Sequence, residues 1–199
     1  MKIRRTLSAL TAALALASAG LLTAGAQAAE SGGPDNVVWS KTTGAGAVDK
    51  QSALKVGRFA GDDLESANVA RAESTDCTDC RTAAVAVQAV FATGHPSTVA
   101  PKNVALAINQ NCTRCTTYAY AYQYVVTTDG PVHLGPRARQ RIAEIRGEVA
   151  DVAQSDLEPA QMDARLNELT AEFKARIDTS LQRAGEDPGG DVERDTDQE

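Results

Sequence analysis

The chain has 199 residues, of which 23% are charged and 4% are aromatic, and its 26 acidic residues outnumber its 20 basic ones. Nucleic-acid binding requires a basic face that contacts phosphates, so this composition argues against a nucleic-acid partner. The length suffices for one domain with a hydrophobic core.

Residues 1–28 have the three parts of a secretory signal peptide. MKIRR is basic, the stretch from Leu7 to Ala24 is apolar, and the small residues that follow suit cleavage after Ala28. We therefore predict a secreted, extracellular bacterial protein that meets a membrane only through this signal. Export by the general secretory pathway fits the segment, and the adjacent Arg4 and Arg5 leave the twin-arginine pathway open.

Two other segments carry few signs of regular structure. Residues 29–66 contain the turn-forming runs SGGPD and TTGAGA, with Trp39 between them, and we predict a flexible N-terminal segment with at most one short strand. Residues 185–199 hold seven acidic residues against Arg194, too little apolar surface to offset the entropy of ordering. We predict a disordered acidic tail there and a single folded domain over residues 67–184.

A segment of 29 residues occurs twice in this domain. Residues 68–96 and residues 103–131 align without a gap, at an offset of 35, and 14 of the 29 positions are identical. We interpret the pair as an internal duplication. Two units are fewer than a solenoid normally needs, so we expect them to pack about a pseudo-two-fold axis within one domain.

The identities after the second cysteine of each unit recur at every second position, which is the period of a β-strand. The shared positions are Thr82, Ala84, Ala86, Gln88 and Val90 in the first unit and Thr117, Ala119, Ala121, Gln123 and Val125 in the second. Alternating runs, NVARAES and NVALAIN, also precede each CTxC turn. We predict an α+β fold in which two duplicated β-hairpins form a small antiparallel sheet.

The period changes to that of a helix after residue 135. Apolar residues recur at steps of three and four from Ala138 to Val152 and again from Met162 to Leu181. Ser155 and Glu158 fit a capping box between the two runs, and Gly185 ends the second. We predict a helical hairpin over residues 136–184 that covers one face of the sheet. A short coiled-coil dimer is the other interpretation, so a homo-oligomer is possible.

The four cysteines form two CxxC pairs, Cys77 with Cys80 and Cys112 with Cys115. In an exported protein the default is a disulfide. The closeness of the partners favours local bonding within each pair, and bonding between the two copies is the other connectivity. Four thiolates at this spacing also suit one zinc ion, and one pair could act as a redox dithiol. Haem attachment is excluded because Arg81 and Thr116 stand where the required histidine would follow.

The sequence has no recognisable catalytic motif, so we predict no enzyme, no catalytic residues and no cofactor. His95 and His133 occupy different positions relative to the two repeats and are most simply surface loop residues. The strongest candidate for a binding surface is the alternating set Tyr118, Tyr120, Tyr122 and Tyr124. Four rings on one strand face suit a glycan or another chain, or burial under the helices, or self-assembly of exposed strands.

The twin segments with CTxC turns resemble segments of uncharacterised exported proteins of high-GC Gram-positive bacteria, and similar segments accompany membrane zinc-metallopeptidase-like proteins. The resemblance covers residues 68–181 and implies no known activity. The peptidase motif is absent, so no catalytic role carries over. We therefore expect a secreted, non-catalytic cell-envelope or extracellular binding or assembly protein whose partner is a protein or a cell-wall glycan. The competing expectation is a thiol–disulfide redox or zinc-stabilised protein that uses the two CxxC pairs.

Overall fold

A computed structural model describes residues 31–199, so the predicted signal peptide lies outside the described chain. The elements are β1 (Ser31–Gly32), β2 (Asn36–Ala45), β3 (Val48–Ala60), β4 (Asp63–Thr78), β5 (Arg81–Thr93), β6 (Thr98–Thr113), β7 (Thr116–Thr128), α1 (Pro136–Gln154), α2 (Pro159–Ala184) and β8 (Asp191–Gln198). They build three layers: a sheet containing β2, β4 and β6, a second sheet containing β3, β5, β7 and β8, and the two helices.

The predicted antiparallel sheet of hairpins is wrong. The two strands that flank each CTxC turn do not pair with each other, because β4 and β6 belong to one sheet and β5 and β7 to the other. Pairing occurs between the two units instead, and it is parallel: β4 pairs with β6 and β5 with β7, each residue opposite the one 35 positions later. Each strand–turn–strand unit is therefore a β-arch, two strands that face each other through their side chains.

The conformation of the turns accounts for the arches. Asp76 and Asp79 have φ values of 51° and 56°, and Asn111 and Arg114, at the same places in the next unit, have 55° and 56°. Left-handed residues of this kind are costly except for Gly, Asn and Asp, and they redirect the chain sharply. The second strand leaves the plane of the first and continues in the facing sheet.

One more arch precedes the two cysteine arches, within the segment for which we predicted flexibility. β2 pairs with β4 and β3 with β5, again in parallel, so residues 36–60 extend the stack by one unit. The turn of this arch uses Gly44 and Gly46, both with positive φ, and is one residue shorter, as a register shift beside Gly44 shows. We refer to β2–β3, β4–β5 and β6–β7 as the first, second and third arch.

The acidic segment that we predicted to be disordered forms β8, which closes the third arch. Its backbone pairs antiparallel with β7 from Tyr118 opposite Gln198 to Val125 opposite Asp191. Its side chains reach the other sheet: Asp195 and Asp197 each accept a hydrogen bond at 2.9 Å from a backbone N–H of β6, at Ala105 and Ala107. One strand thus covers the exposed edge of both sheets.

Small and polar residues fill the space between the two sheets. A cluster of buried alanines lies at its centre, Ala70, Ala72, Ala84, Ala86, Ala105, Ala107, Ala119 and Ala121. Polar side chains on either side stack on their equivalents in the next arch, as in the bond from Gln123 Nε2 to Gln88 Oε1 at 2.9 Å. The small residues that are identical in the two repeat units therefore form the contact between the two sheets.

The helices pack on the outer face of the second sheet, as the apolar periodicity predicts. Ile145, Leu166 and Phe173 are buried with the strand residues beneath them. The capping box differs in one detail, since Glu158 is the N-cap of α2 and its partner is Gln161 rather than Ser155. No helix in the described chain combines the length and the apolar character needed to cross a membrane.

Candidate functional sites

The two cysteine turns lie directly on top of each other at one end of the stack. Cys77 is the register partner of Cys112, and backbone hydrogen bonds join the turns, from Asp79 N to Thr113 O and from Thr116 N to Cys80 O, both 2.9 Å. The Arg114 guanidinium adds two bonds of 2.6 Å to the Asp79 carboxylate. These contacts fix the four cysteines in two tiers.

The two tiers differ in bonding and exposure. Cys77 and Cys80 form a disulfide and are buried, which agrees with the predicted local pairing of the first CxxC. Cys112 and Cys115, for which we also predicted a bond, are free thiols and partly exposed. The sulfurs of Cys77, Cys112 and Cys115 all lie within 4.8 Å of one another. The structure thus brings a dithiol against a disulfide.

The donor set bears on the zinc alternative. Three sulfurs at this separation suit a tetrahedral thiolate site, but a disulfide sulfur lacks the negative charge that binds zinc. Zinc would therefore require prior reduction of Cys77–Cys80. Burial and the neighbouring Cys115 raise the pKa of the Cys112 thiol above its ordinary value. Protonated thiols are poor nucleophiles and poor ligands, so Cys112 gains reactivity only toward alkaline pH.

The tyrosine face lies in the core rather than at the surface. Four tyrosines are at most 2% exposed and pack beneath the helices, with β8 beside them in the same sheet: Tyr118, Tyr120, Tyr122 and Tyr124. The Tyr120 hydroxyl donates to Asn167 at 3.1 Å and the Tyr124 hydroxyl to Asp178 at 2.8 Å. Burial raises the pKa of all four phenols. A ligand could reach these rings only by displacing a helix or β8.

The free edge of the first arch is exposed, in contrast to the edge that β8 covers. In β2, the N–H groups that point away from β4 are those of Val37, Trp39, Lys41 and Thr43, because N–H direction alternates along a strand. Asp49 accepts the Lys41 N–H at 2.8 Å. Among residues 31–199, no strand covers the other three. Val37 and Trp39 are 62% and 57% exposed.

A ladder of asparagines ends at this edge. Asn36 Nδ2 donates to Asn68 Oδ1 at 2.9 Å, and Asn68 Nδ2 donates to Asn103 Oδ1 at 2.7 Å. Asn68 Oδ1 and Asn103 Oδ1 each accept from the arch before them, and within residues 31–199 no arch precedes Asn36. This oxygen is buried and has no hydrogen-bond partner within residues 31–199. An unsatisfied buried acceptor costs about 1–3 kcal/mol.

The histidines lie apart from both sites. His95 Nε2 is 2.5 Å from Asp129 Oδ1, in the loops beyond β5 and β7. His133 lines an open groove of about 590 Å³ between the start of α1 and the end of α2, together with Arg137 and Arg183. Neither histidine approaches the cysteines.

The architecture defines a class, a short stack of parallel β-arches with a helical hairpin on one face and an antiparallel strand closing one end. No protein-family model, no curated protein and no solved structure matches the chain.

The first arch, with Asn36 and the free edge of β2, was not predicted from the sequence. A signal for them exists, because the pair Asn-Val begins β2 at Asn36 and recurs at Asn68 and Asn103 in the other two arches. The turn of the first arch obscures the similarity, since Gly44 stands opposite Cys77, no cysteine marks the turn, and the turn is one residue shorter.

Proposed function

We propose that the protein is a secreted, non-catalytic binding module that adds an extended segment of a partner polypeptide to the free edge of its first arch. The difference between the two ends of the stack carries this proposal. β8 occupies the edge of the third arch with backbone pairs and carboxylates, whereas β2 offers unpaired backbone groups. Addition of a strand to such an edge is a common mode of peptide recognition.

The edge specifies the chemistry of the partner segment. A carboxamide that displaces the groups covering Asn36 Oδ1 and donates to this oxygen would continue the asparagine ladder and satisfy the buried acceptor. Small side chains flanking that residue would face the alanine cluster between the sheets. Apolar side chains at the alternate positions would lie beside Val37 and Trp39 on the outer face. The favoured ligand is thus an extended peptide with a central Asn or Gln and alternating small and apolar residues.

A second copy of this chain is a poorer fit than a foreign strand. Two first arches that met edge to edge about a two-fold axis at Asn36, the register in which the two ladders meet, would bring Asn36 Oδ1 against its own symmetry mate, with no proton between them. A head-to-tail stack is blocked because β8 already occupies the edge of the third arch. We therefore expect the protein to be a monomer in solution.

The single tryptophan of the chain, Trp39, reports on the proposed edge. As a probe we choose a synthetic peptide with the sequence of residues 101–110, PKNVALAINQ, because this strand already carries the ladder asparagine. Saturable binding should shift the emission of Trp39 to shorter wavelength as its ring loses water. A matched peptide with leucine in place of the asparagine equivalent to Asn103 should bind at least tenfold more weakly.

Two results would contradict the proposal. One is an emission spectrum that does not change up to millimolar peptide, with no binding by calorimetry. The other is a response to soluble peptidoglycan fragments and not to the peptide, which would assign the face of Trp39 to a cell-wall glycan. Replacing Val37 by lysine, which keeps the fold because this side chain is exposed, should weaken a genuine peptide response.

A further inference from the structure

The four cysteines form a centre that the binding function does not use. Cys77 and Cys80 are an oxidised, buried inner tier, and Cys112 and Cys115 are a reduced, partly exposed outer tier. Parallel pairing places Cys77 and Cys112 opposite each other on β4 and β6, and Cys80 and Cys115 lie in the two stacked turns that follow. The arrangement therefore differs from two independent CxxC turns.

The geometry brings possible exchange partners together. The sulfurs of Cys112 and Cys115 lie within 4.8 Å of each other and of Cys77 Sγ. Small side-chain rotations can close such a gap, whereas the turns that carry the sulfurs are held by backbone bonds and by the Asp79–Arg114 ion pair. Exchange between the tiers thus needs no change in the backbone.

We propose that the disulfide bond moves between the two tiers by intramolecular thiol–disulfide exchange. The Cys112 thiolate attacks Cys77 Sγ, the Cys77–Cys112 bond forms, and Cys80 leaves as a thiolate that takes up a proton. The Cys115 thiolate then attacks Cys112 Sγ and releases Cys77. In total the disulfide passes to Cys112–Cys115, two protons pass to Cys77 and Cys80, and no external oxidant or reductant is consumed.

The consequence is a difference in access between the two states. A disulfide on the inner tier is buried behind Gly44, whose carbonyl oxygen lies 2.9 Å from Cys77 Sγ and 2.8 Å from Cys80 Sγ. A disulfide on the outer tier is exposed to thiols of the surroundings. The inner tier would protect one disulfide, which can accept two electrons, and exchange would deliver it to the surface. Because the pKa of Cys112 is raised, its attacking thiolate forms mainly at alkaline pH, and delivery should be faster there.

The variant Cys115→Ser tests the first step. It retains the Cys77–Cys80 disulfide and the attacking Cys112 but lacks the thiol that completes the transfer. After incubation, an acid quench and alkylation, peptide mapping should find a fraction of chains with a Cys77–Cys112 bond and an alkylated Cys80. This fraction should appear several times faster at pH 9 than at pH 7.

The matched control is the double variant Cys112→Ser with Cys115→Ser, in which Cys80 should never be alkylated. Alkylation of Cys112 alone in the single variant, with Cys80 always protected at both pH values, would overturn the proposal. So would wild-type protein purified with four free thiols and one equivalent of zinc, because the centre would then be a metal site. In wild-type protein, which has one disulfide per chain, mapping after the same quench should find that bond in both tiers.

Discussion

The carboxylate of Asp195 accepts a hydrogen bond of 2.9 Å from the backbone N–H of Ala105, although the two residues belong to different sheets. Asp197 does the same for Ala107, and Glu199 for Asn109 at 2.7 Å. Three alternate carboxylates at the C-terminal end thus satisfy three alternate N–H groups of β6. An acidic sequence of this period is suited to cap a strand edge.

Loss of these carboxylates should therefore destabilise the fold. Replacing Asp195 and Asp197 together by alanine leaves two edge N–H groups of β6 without their acceptors and should lower the free energy of unfolding by about 1–3 kcal/mol. Urea unfolding checks the value. Glu193→Ala is the control, because Glu193 is exposed, and it should change stability by less than about 0.5 kcal/mol. Equal effects of both changes would show that β8 acts only through its backbone.

The asparagine ladder should be a large contributor to stability. Asn68 is fully buried and its amide group bonds to both ladder neighbours and to the carbonyls of Ala86 and Tyr122. Asn68→Ala should cost about 2–4 kcal/mol, because it removes these bonds and leaves buried acceptors unpaired.

A second ladder, on the surface, supplies the control for Asn68. Asn111 Nδ2 donates to Asp76 Oδ1 at 3.0 Å in an exposed position of the turn. Asn111→Gly, which tolerates the left-handed conformation at this position, should cost well under half as much in the same urea experiment, since water can replace the lost bond. If the exposed variant were the more destabilised, the importance assigned to the buried ladder would be wrong.

The alanine cluster should tolerate no larger side chain. Ala121 is fully buried between the sheets, and Ala121→Leu should lower the free energy of unfolding by about 1–3 kcal/mol or prevent folding, because the sheets must separate to admit it. Thermal unfolding measures the effect. Ala175→Leu, at an exposed position of α2, is the matched change and should be nearly neutral.

An ion-pair cluster between the helices should make stability depend on pH. Two hydrogen bonds from Arg141, at 2.8 and 2.7 Å, together with Arg176, lower the pKa of Glu172 to about 2. A lowered folded-state pKa stabilises the fold above the unfolded value, about 4.3, and this contribution is lost as the pH falls toward 2.

Glu172→Gln should therefore destabilise the protein at pH 7 and have little effect near pH 2. The side chain is about one third exposed, so screening limits the expected loss at pH 7 to about 1 kcal/mol. Chemical unfolding at the two pH values measures the difference. A loss of the same size at both would assign the effect to packing instead of charge.

Several parts of the fold can be predicted from the sequence. The two-residue period of the repeats predicts strands, the three-and-four spacing predicts both helices, and the unchanged small face predicts a close contact of backbones. The direction of pairing was misread. In a hairpin, the residues opposite each other come from one repeat unit and differ. In this structure Asn68 lies opposite Asn103 and Cys77 opposite Cys112, as parallel, in-register pairing of the two units requires.

The remaining errors have a common physical cause. The first arch and β8 lack an apolar period strong enough to signal a strand, because each lies at an end of the stack. The structure of β8 depends on the N–H groups of β6, a tertiary contact that composition does not reveal. The tyrosines were ambiguous for a similar reason, since only the position of the helices decides whether that face is buried.

Hydrogen exchange at the free edge of β2 tests the central claim most directly. With the peptide PKNVALAINQ bound, the amide protons of Val37 and Trp39 should exchange at least tenfold more slowly, while that of Lys41, already bonded to Asp49, should change much less. If the peptide left Val37 and Trp39 unprotected, or slowed exchange only in the helices or in β8, the free edge of the first arch would not be the binding site.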